Sequence, residues 1–151
     1  MVKFEIGNLL DAPVDYICHQ VNCQGRMGSG IAKQIKERWP IVYIKYMDWY
    51  YEGGLQLGKI QIVDNDEDPW VINIAGQLNY GYDGKRYTSY DAFWSCLCEI
   101  RNCVPKGSRI GFPYKIGCGL GGANWKVIEK MIEEVLGFDY NVYIYMLEEE
   151  M

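Results

Sequence analysis

Histidine is almost missing from this sequence, with His19 the only one. That scarcity removes the material for a Cys/His zinc site, which needs clustered thiolates and imidazoles. The cysteines do not make up for it. Cys18, Cys23, Cys96, Cys98, Cys103 and Cys118 form no C-x-x-C pair and are too sparse for a disulfide framework. The scattered Asp and Glu residues have no metal-ligand spacing, so neither metal nor cofactor is expected. Basic residues are also in deficit, 15 Lys+Arg against 20 Asp+Glu, for a formal net charge of -5. Such a chain has little cationic surface to replace counterions, so direct nucleic-acid binding is not expected. No apolar run has the length to span a bilayer. Met1 leads straight into the alternation Val2-Lys3-Phe4-Glu5-Ile6 rather than a leader peptide. The expectation is a reduced, cytoplasmic, soluble protein with no membrane partner, acting as a monomer.

What is present suits one ordinary domain, 1–151, with a hydrophobic fraction of 49% to build its core. Aromatics make up 15% of the chain, and such side chains both fill cores and stack on flat ligands. Strand-like runs fall at Val2–Ile6, Tyr16–Val21, Lys59–Val63, Trp70–Ile74, Arg109–Phe112 and Val142–Leu147. The second and last are almost continuously apolar, as strands covered on both faces are. Helical spacing appears from Ile31 to the turn around Trp39, over Tyr90–Val104, and over Trp125–Leu136, with Gly137 as a stop. Alternating strands and helices predict an α/β fold: a three-layer α/β/α sandwich around a mixed, largely parallel six-stranded sheet. The acidic stretch Asp64–Pro69 lacks the glycine and glutamate positions of a calcium loop and reads as a turn between strands.

Two glycine-rich stretches carry the functional signal. The first, Gly25-Arg26-Met27-Gly28-Ser29-Gly30-Ile31, leaves a strand and enters a helix. Open parallel sheets bind ligands at that position, and free N–H groups at a helix start suit phosphate. Its spacing matches neither the dinucleotide-binding fingerprint nor the Walker A loop. The second, Gly117-Cys118-Gly119-Leu120-Gly121-Gly122, also lies between a strand and a helix, with Asn124 placed to cap that helix. Two such loops at one end of one sheet would face each other across a cleft.

With the flanking pieces Gly7-Asn8-Leu9-Leu10, Ile17-Cys18-His19-Gln20-Val21-Asn22 and Asn124-Trp125, the sequence resembles the macro domain family. The branch it most resembles holds ADP-ribose-1''-phosphate phosphatases and terminal ADP-ribose glycohydrolases. The resemblance implies a cleft for ADP-ribose or ADP-ribose-1''-phosphate at the strand ends. Gly28, Ser29, Gly30 and Ile31 would line the diphosphate and distal ribose from one side. Gly117, Cys118, Gly119, Leu120 and Gly121 would wrap the diphosphate from the other. Asn8 would take the place of an adenine-binding aspartate, and Leu9, Gln20, Met27 and Trp125 would complete the ligand-binding set.

For catalysis the same resemblance places His19 at the cleft mouth and Asn22 beside the distal ribose, and the loop Gly76–Ser89 adds Asp83 as a further candidate. His19 would act as nucleophile or acid–base group at a terminal phosphate, and Asp83 would orient a water or the histidine. The lysine and aspartate of the glycohydrolase branch have no counterpart. The strand from Trp70 runs on into Ala75-Gly76-Gln77 with no lysine before Lys85, and Gly121 stands in the second loop. Three readings stay open: removal of the phosphate from ADP-ribose-1''-phosphate, a non-catalytic ADP-ribose reader, and a hydrolase of ADP-ribosyl or O-acetyl-ADP-ribose esters.

Overall fold

A computed structural model describes all residues, 1–151. Six strands, β1 (Val2–Ile6), β2 (Tyr16–Asn22), β3 (Ile60–Val63), β4 (Trp70–Gln77), β5 (Arg109–Pro113) and β6 (Asn141–Met146), form one sheet. Its order is β1-β6-β5-β2-β4-β3. Every neighbouring pair is parallel except β3 and β4, which are antiparallel across the acidic turn. Four α-helices cover the two faces: α1 (Gly30–Arg38), α2 (Pro40–Tyr51), α3 (Tyr90–Cys103) and α4 (Trp125–Leu136). This is the three-layer, largely parallel arrangement that the strand–helix alternation implies.

The central strand β2 shows why the sandwich forms. Ile17 and Val21 pack into the core under α1 and α2, while Cys18 packs into the core under α3 and α4. A strand that feeds two cores does not alternate polar with apolar, hence a run that is apolar on both faces but for His19 and Gln20. On the α3/α4 side, Phe93, Leu97, Ile100, Ile128 and Ile132 are all fully buried. Each such burial contributes about 1.5–3 kcal/mol relative to exposure. Asn124 caps α4 as its position predicts, accepting from the Lys126 N–H at 2.9 Å. Gly137, however, ends α4 in right-handed backbone (φ -61) and makes no left-handed cap. Its glycine identity has another reason: a Cβ there would lie 2.6 Å from the Glu133 carbonyl oxygen.

Helix α2 follows α1 almost without a break. Pro40 at its first position has no N–H to leave unpaired and a backbone angle already suited to a helix. Because the sheet is parallel apart from β3, the carboxyl ends of β1, β6, β5, β2 and β4 all open toward one edge. Both glycine-rich stretches leave the sheet there.

Candidate functional site

A cleft of about 720 Å³ runs along that edge. Its first wall is the connection from β2 to α1, organised by Asn22. The Asn22 side chain accepts from the N–H groups of Gln24 (2.9 Å) and Arg26 (3.4 Å) and donates to the Arg26 carbonyl (2.9 Å). The buried Tyr46 hydroxyl donates to the Asn22 carbonyl at 2.6 Å, fastening α2 to the loop. Burial raises the Tyr46 phenol well above its ordinary range, so the group stays a donor. Beyond this knot the chain runs through Gly28 and Ser29 into α1, and Ser29 supplies no side-chain cap. The N–H groups of Gly28, Ser29, Gly30, Ile31 and Ala32, all lining residues, make no hydrogen bond within the protein.

The second wall, from β5 to α4, is held by Gln20. Its Nε2 donates to Gln77 Oε1 (2.7 Å) and Thr88 Oγ1 (2.8 Å), and Thr88 in turn donates to the Gly117 carbonyl (2.8 Å). The Gln20 side chain threads between two glycines. A Cβ on Gly76 would lie 2.3 Å from its Oε1, and one on Gly117 would lie 3.1 Å away. Gly121 is just as confined, with the Gly117 carbonyl oxygen 2.5 Å from where its Cβ would be. Here too the lining residues Gly117, Gly119, Leu120 and Gly121 carry N–H groups without a partner in the protein. Two walls thus face the cleft with unspent donors, which suit an anionic group.

The ends of the cleft differ in chemistry. At the β1/β6 end lie Leu9, Tyr145, Leu147 and Asn8, whose Oδ1 accepts from the Leu10 N–H at 3.0 Å. At the β2/β4 end lie Gln20, Asn22, Arg26 and Gln77. Arg26, Lys115 and Glu150 are the only charged residues in the lining. Lys115 has φ 59, left-handed backbone that a side chain other than glycine, asparagine or aspartate seldom adopts.

Several expected site residues sit elsewhere. His19 is not at the cleft mouth but fully buried beneath it. On β2 it lies between Cys18 and Gln20, which face α3 and α4 or the cleft, and it takes the opposite face with Ile17 and Val21. Its register partner across the sheet is Asn73, whose Nδ2 donates to Gln61 Oε1. The Asn73 oxygen therefore accepts, and the His19 Nε2–H donates to it. His19 Nδ1 is left without a partner, and burial pushes the imidazole pKa down to about 4. Asp83 does not line the cleft either. It is on the surface, accepts from the Tyr87 hydroxyl at 2.8 Å, and is held below the ordinary carboxylate range by that bond. Met27 is buried under the first wall, Cys118 and Trp125 pack against the α3/α4 core, and none of the three borders the cleft. Burial raises the Cys118 thiol to about 11. The lining therefore includes no histidine, cysteine or aspartate.

The structure also adds residues that the sequence reading did not select. Arg26, Lys115, Tyr145, Leu147 and Glu150 all line the cleft. Arg26 lies within the first glycine-rich stretch and Lys115 just before the second, whereas Tyr145, Leu147 and Glu150 had no local signal.

A model of the family described as "Macro domain" matches residues 18–132. The chain belongs to the macro domain family. Among relatives of this macro domain is a DNA ADP-ribosyl glycohydrolase of Thermus aquaticus, 27% identical over 151 residues. That alignment takes in 98% of this chain but only 41% of the relative, so the chain spans about two-fifths of that protein. The solved macrodomain of Thermus aquaticus DarG superposes with a TM-score of 0.80 at 27% identity, covering 97% of this chain and 98% of that one. An ADP-ribose 1''-phosphate phosphatase of Lodderomyces elongisporus aligns almost end to end, 22% identical over 95% of this chain and 98% of its own. The acid–base groups in the lining are two cations, one carboxylate at the β1/β6 end, and tyrosines.

Proposed function

We propose that this macro domain binds ADP-ribose and its derivatives along the cleft. The observation that carries the reading is the pair of facing walls with unpartnered N–H groups at Gly28–Ala32 and at Gly117, Gly119, Leu120 and Gly121. A diphosphate fits between them, held by backbone dipoles rather than by many cations. The flat base belongs at the end with Leu9, Tyr145 and Leu147, where aliphatic and aromatic surface is available. The hydroxyl-rich distal ribose belongs at the polar end with Gln20, Asn22, Arg26 and Gln77. The overall negative charge of the chain does not oppose this, because two of the three charged lining residues are cations. Titration calorimetry with ADP-ribose tests it, with adenosine as the control that lacks the diphosphate. Binding of ADP-ribose but not of adenosine supports the diphosphate site; no heat with either rejects it.

A second reading is hydrolysis at the distal ribose, with removal of the phosphate from ADP-ribose-1''-phosphate as the leading case. The near end-to-end alignment with the Lodderomyces phosphatase favours it. With His19 buried away from the cleft, the reaction would rely on water positioned against the substrate phosphate and on Arg26 to neutralise the developing charge. Phosphate release by the wild-type protein, lost in Arg26→Ala with ADP-ribose binding retained, supports this reading. Binding without phosphate release leaves the protein a reader, or a hydrolase of another ADP-ribosyl bond.

A further inference from the structure

The segment between β4 and α3 forms a hoop over the polar end of the cleft, and its construction points to a use. Both feet are fixed. The Leu78 carbonyl accepts from the Cys23 N–H and from Gln24 Nε2, each at 3.1 Å, which ties the leading foot to the first wall. The N–H groups of Tyr87 and Thr88 donate to the Gly121 carbonyl at 2.8 and 3.0 Å, which ties the trailing foot to the second wall. Gln77 and Thr88 pair as an antiparallel bridge and close the base.

The hoop is also braced from within. The Tyr87 hydroxyl donates to Asp83, which accepts from the Lys85 N–H as well, at 3.2 Å. Gly81 lies directly against Tyr87: a Cβ there would fall 2.2 Å from the Tyr87 oxygen. At the tip, Tyr80, Gly81 and Tyr82 border the cleft. The Tyr82 and Ser29 hydroxyls share a hydrogen bond of 3.0 Å, spanning the cleft from the hoop to the start of α1. Unlike the feet, this tie is a single solvent-exposed pair of hydroxyls.

We propose that Tyr82 sets the substrate class by closing the polar end of the cleft through its contact with Ser29. ADP-ribose that is free, or that carries a group no bulkier than a phosphate on its distal ribose, is admitted. ADP-ribose attached through that ribose to a polypeptide is excluded. The inference rests on the ADP-ribose reading above. On that reading a chain leaving the distal ribose passes where the two hydroxyls meet, and the bonds of Asp83 to Tyr87 and Lys85 hold the hoop in that position.

The test compares two ligands by calorimetry: free ADP-ribose, and ADP-ribose joined through its distal ribose to a serine of a short peptide. The readout is the ratio of their dissociation constants. In the wild-type protein the peptide-linked form is expected to bind about tenfold more weakly or worse, a difference of about 1.4 kcal/mol. Tyr82→Ala is expected to bring that ratio to within roughly threefold, and Ser29→Ala to lower it from the other side. Tyr82→Phe, which keeps the ring and loses the hydroxyl, is expected to fall in between. Tyr82 is 72% exposed, so its removal leaves the core intact, which a thermal melt of each variant verifies. Equal affinity of the wild-type protein for both ligands would overturn the proposal. So would a ratio that survives Tyr82→Ala and Ser29→Ala unchanged. Failure of the ADP-ribose reading is a separate result, seen as no heat with free ADP-ribose.

Discussion

A glutamate at Gly119 separates the ligand role of the second wall from its structural role. A Cβ at Gly119 meets nothing within 4 Å, and the residue lines the cleft, so a side chain grown there is expected to enter the space proposed for the diphosphate. At an effective dielectric of about 20, a carboxylate about 5 Å from one phosphate charge costs roughly 3 kcal/mol. That is more than a hundredfold in dissociation constant. The fold loses nothing comparable, because a Cβ at Gly119 has no protein atom to push against. Gly121→Ala in the same loop is the contrast. Its methyl group would fall 2.5 Å from the Gly117 carbonyl oxygen and 2.6 Å from Thr88 Oγ1, so the loop must deform. Overpacking of this kind costs about 1–3 kcal/mol of stability. Thermal unfolding with and without ADP-ribose reads both effects. At a ligand concentration about 100 times its dissociation constant, the wild-type protein gains about 2.7 kcal/mol. At roughly 2–4 °C per kcal/mol for a domain of this size, its Tm should rise by about 5–10 °C. Gly119→Glu should melt where the free wild-type protein melts and show no rise with ligand. A normal ligand shift in Gly119→Glu would refute the placement of the diphosphate. A collapse of its stability would refute the claim that the space beside Gly119 is free.

Because His19 is the only histidine and its imidazole is pushed down to about 4, its ring protons in NMR spectra should not titrate between pH 8 and 5; a midpoint near the ordinary 6.5 would contradict its burial. Its folded pKa lies below the unfolded one, so its contribution is complete above about pH 6.5 and is lost as the pH falls toward 4, up to roughly 3 kcal/mol, which urea unfolding at stepped pH measures. Asn22→Ala removes four side-chain hydrogen bonds that shape the first wall and should cost about 2–4 kcal/mol in urea unfolding while weakening ADP-ribose binding; an unchanged midpoint would show that the loop holds its form without them. Iodoacetamide should label the exposed Cys103 promptly and spare Cys18 and Cys96 until the protein unfolds, since burial raises both of their thiols; mass spectrometry of the native protein decides this.

The fold was largely legible because its elements carry their signals locally. The strand β1 and the helix α4 stand where alternation and helical spacing place them, and β2 shows its double burial in its apolar run. Helix α2 was not, and its composition explains why. Ile41, Val42, Tyr43, Ile44, Tyr46, Met47, Trp49 and Tyr50 leave hardly any polar face, so no period marks it out, although Val42 and Tyr46 alone are fully buried. The glycine walls could be read because glycine at such a density is costly in a plain connection. His19 could not be placed, because a one-residue change of face on a strand moves a side chain from the cleft to the core. The far wall was hidden for another reason. Tyr145, Leu147 and Glu150 reach the cleft only because β6 lies beside β1, a pairing that no local pattern encodes.

That pairing has a consequence for how the molecule acquires its site in time. The first strand lies parallel to the last, Val2 opposite Val142 through Ile6 opposite Met146, and β6 also separates β1 from the rest of the sheet. During synthesis, β2, β3, β4 and β5 can assemble with their helices while β1 waits with no edge to join. Its arrival then closes a loop of nearly the whole chain, the kind of contact that slows folding most. The part of the cleft surface that Tyr145 and Leu147 supply has to wait for that step. The end of the cleft proposed for the base is therefore the last part of the site to form.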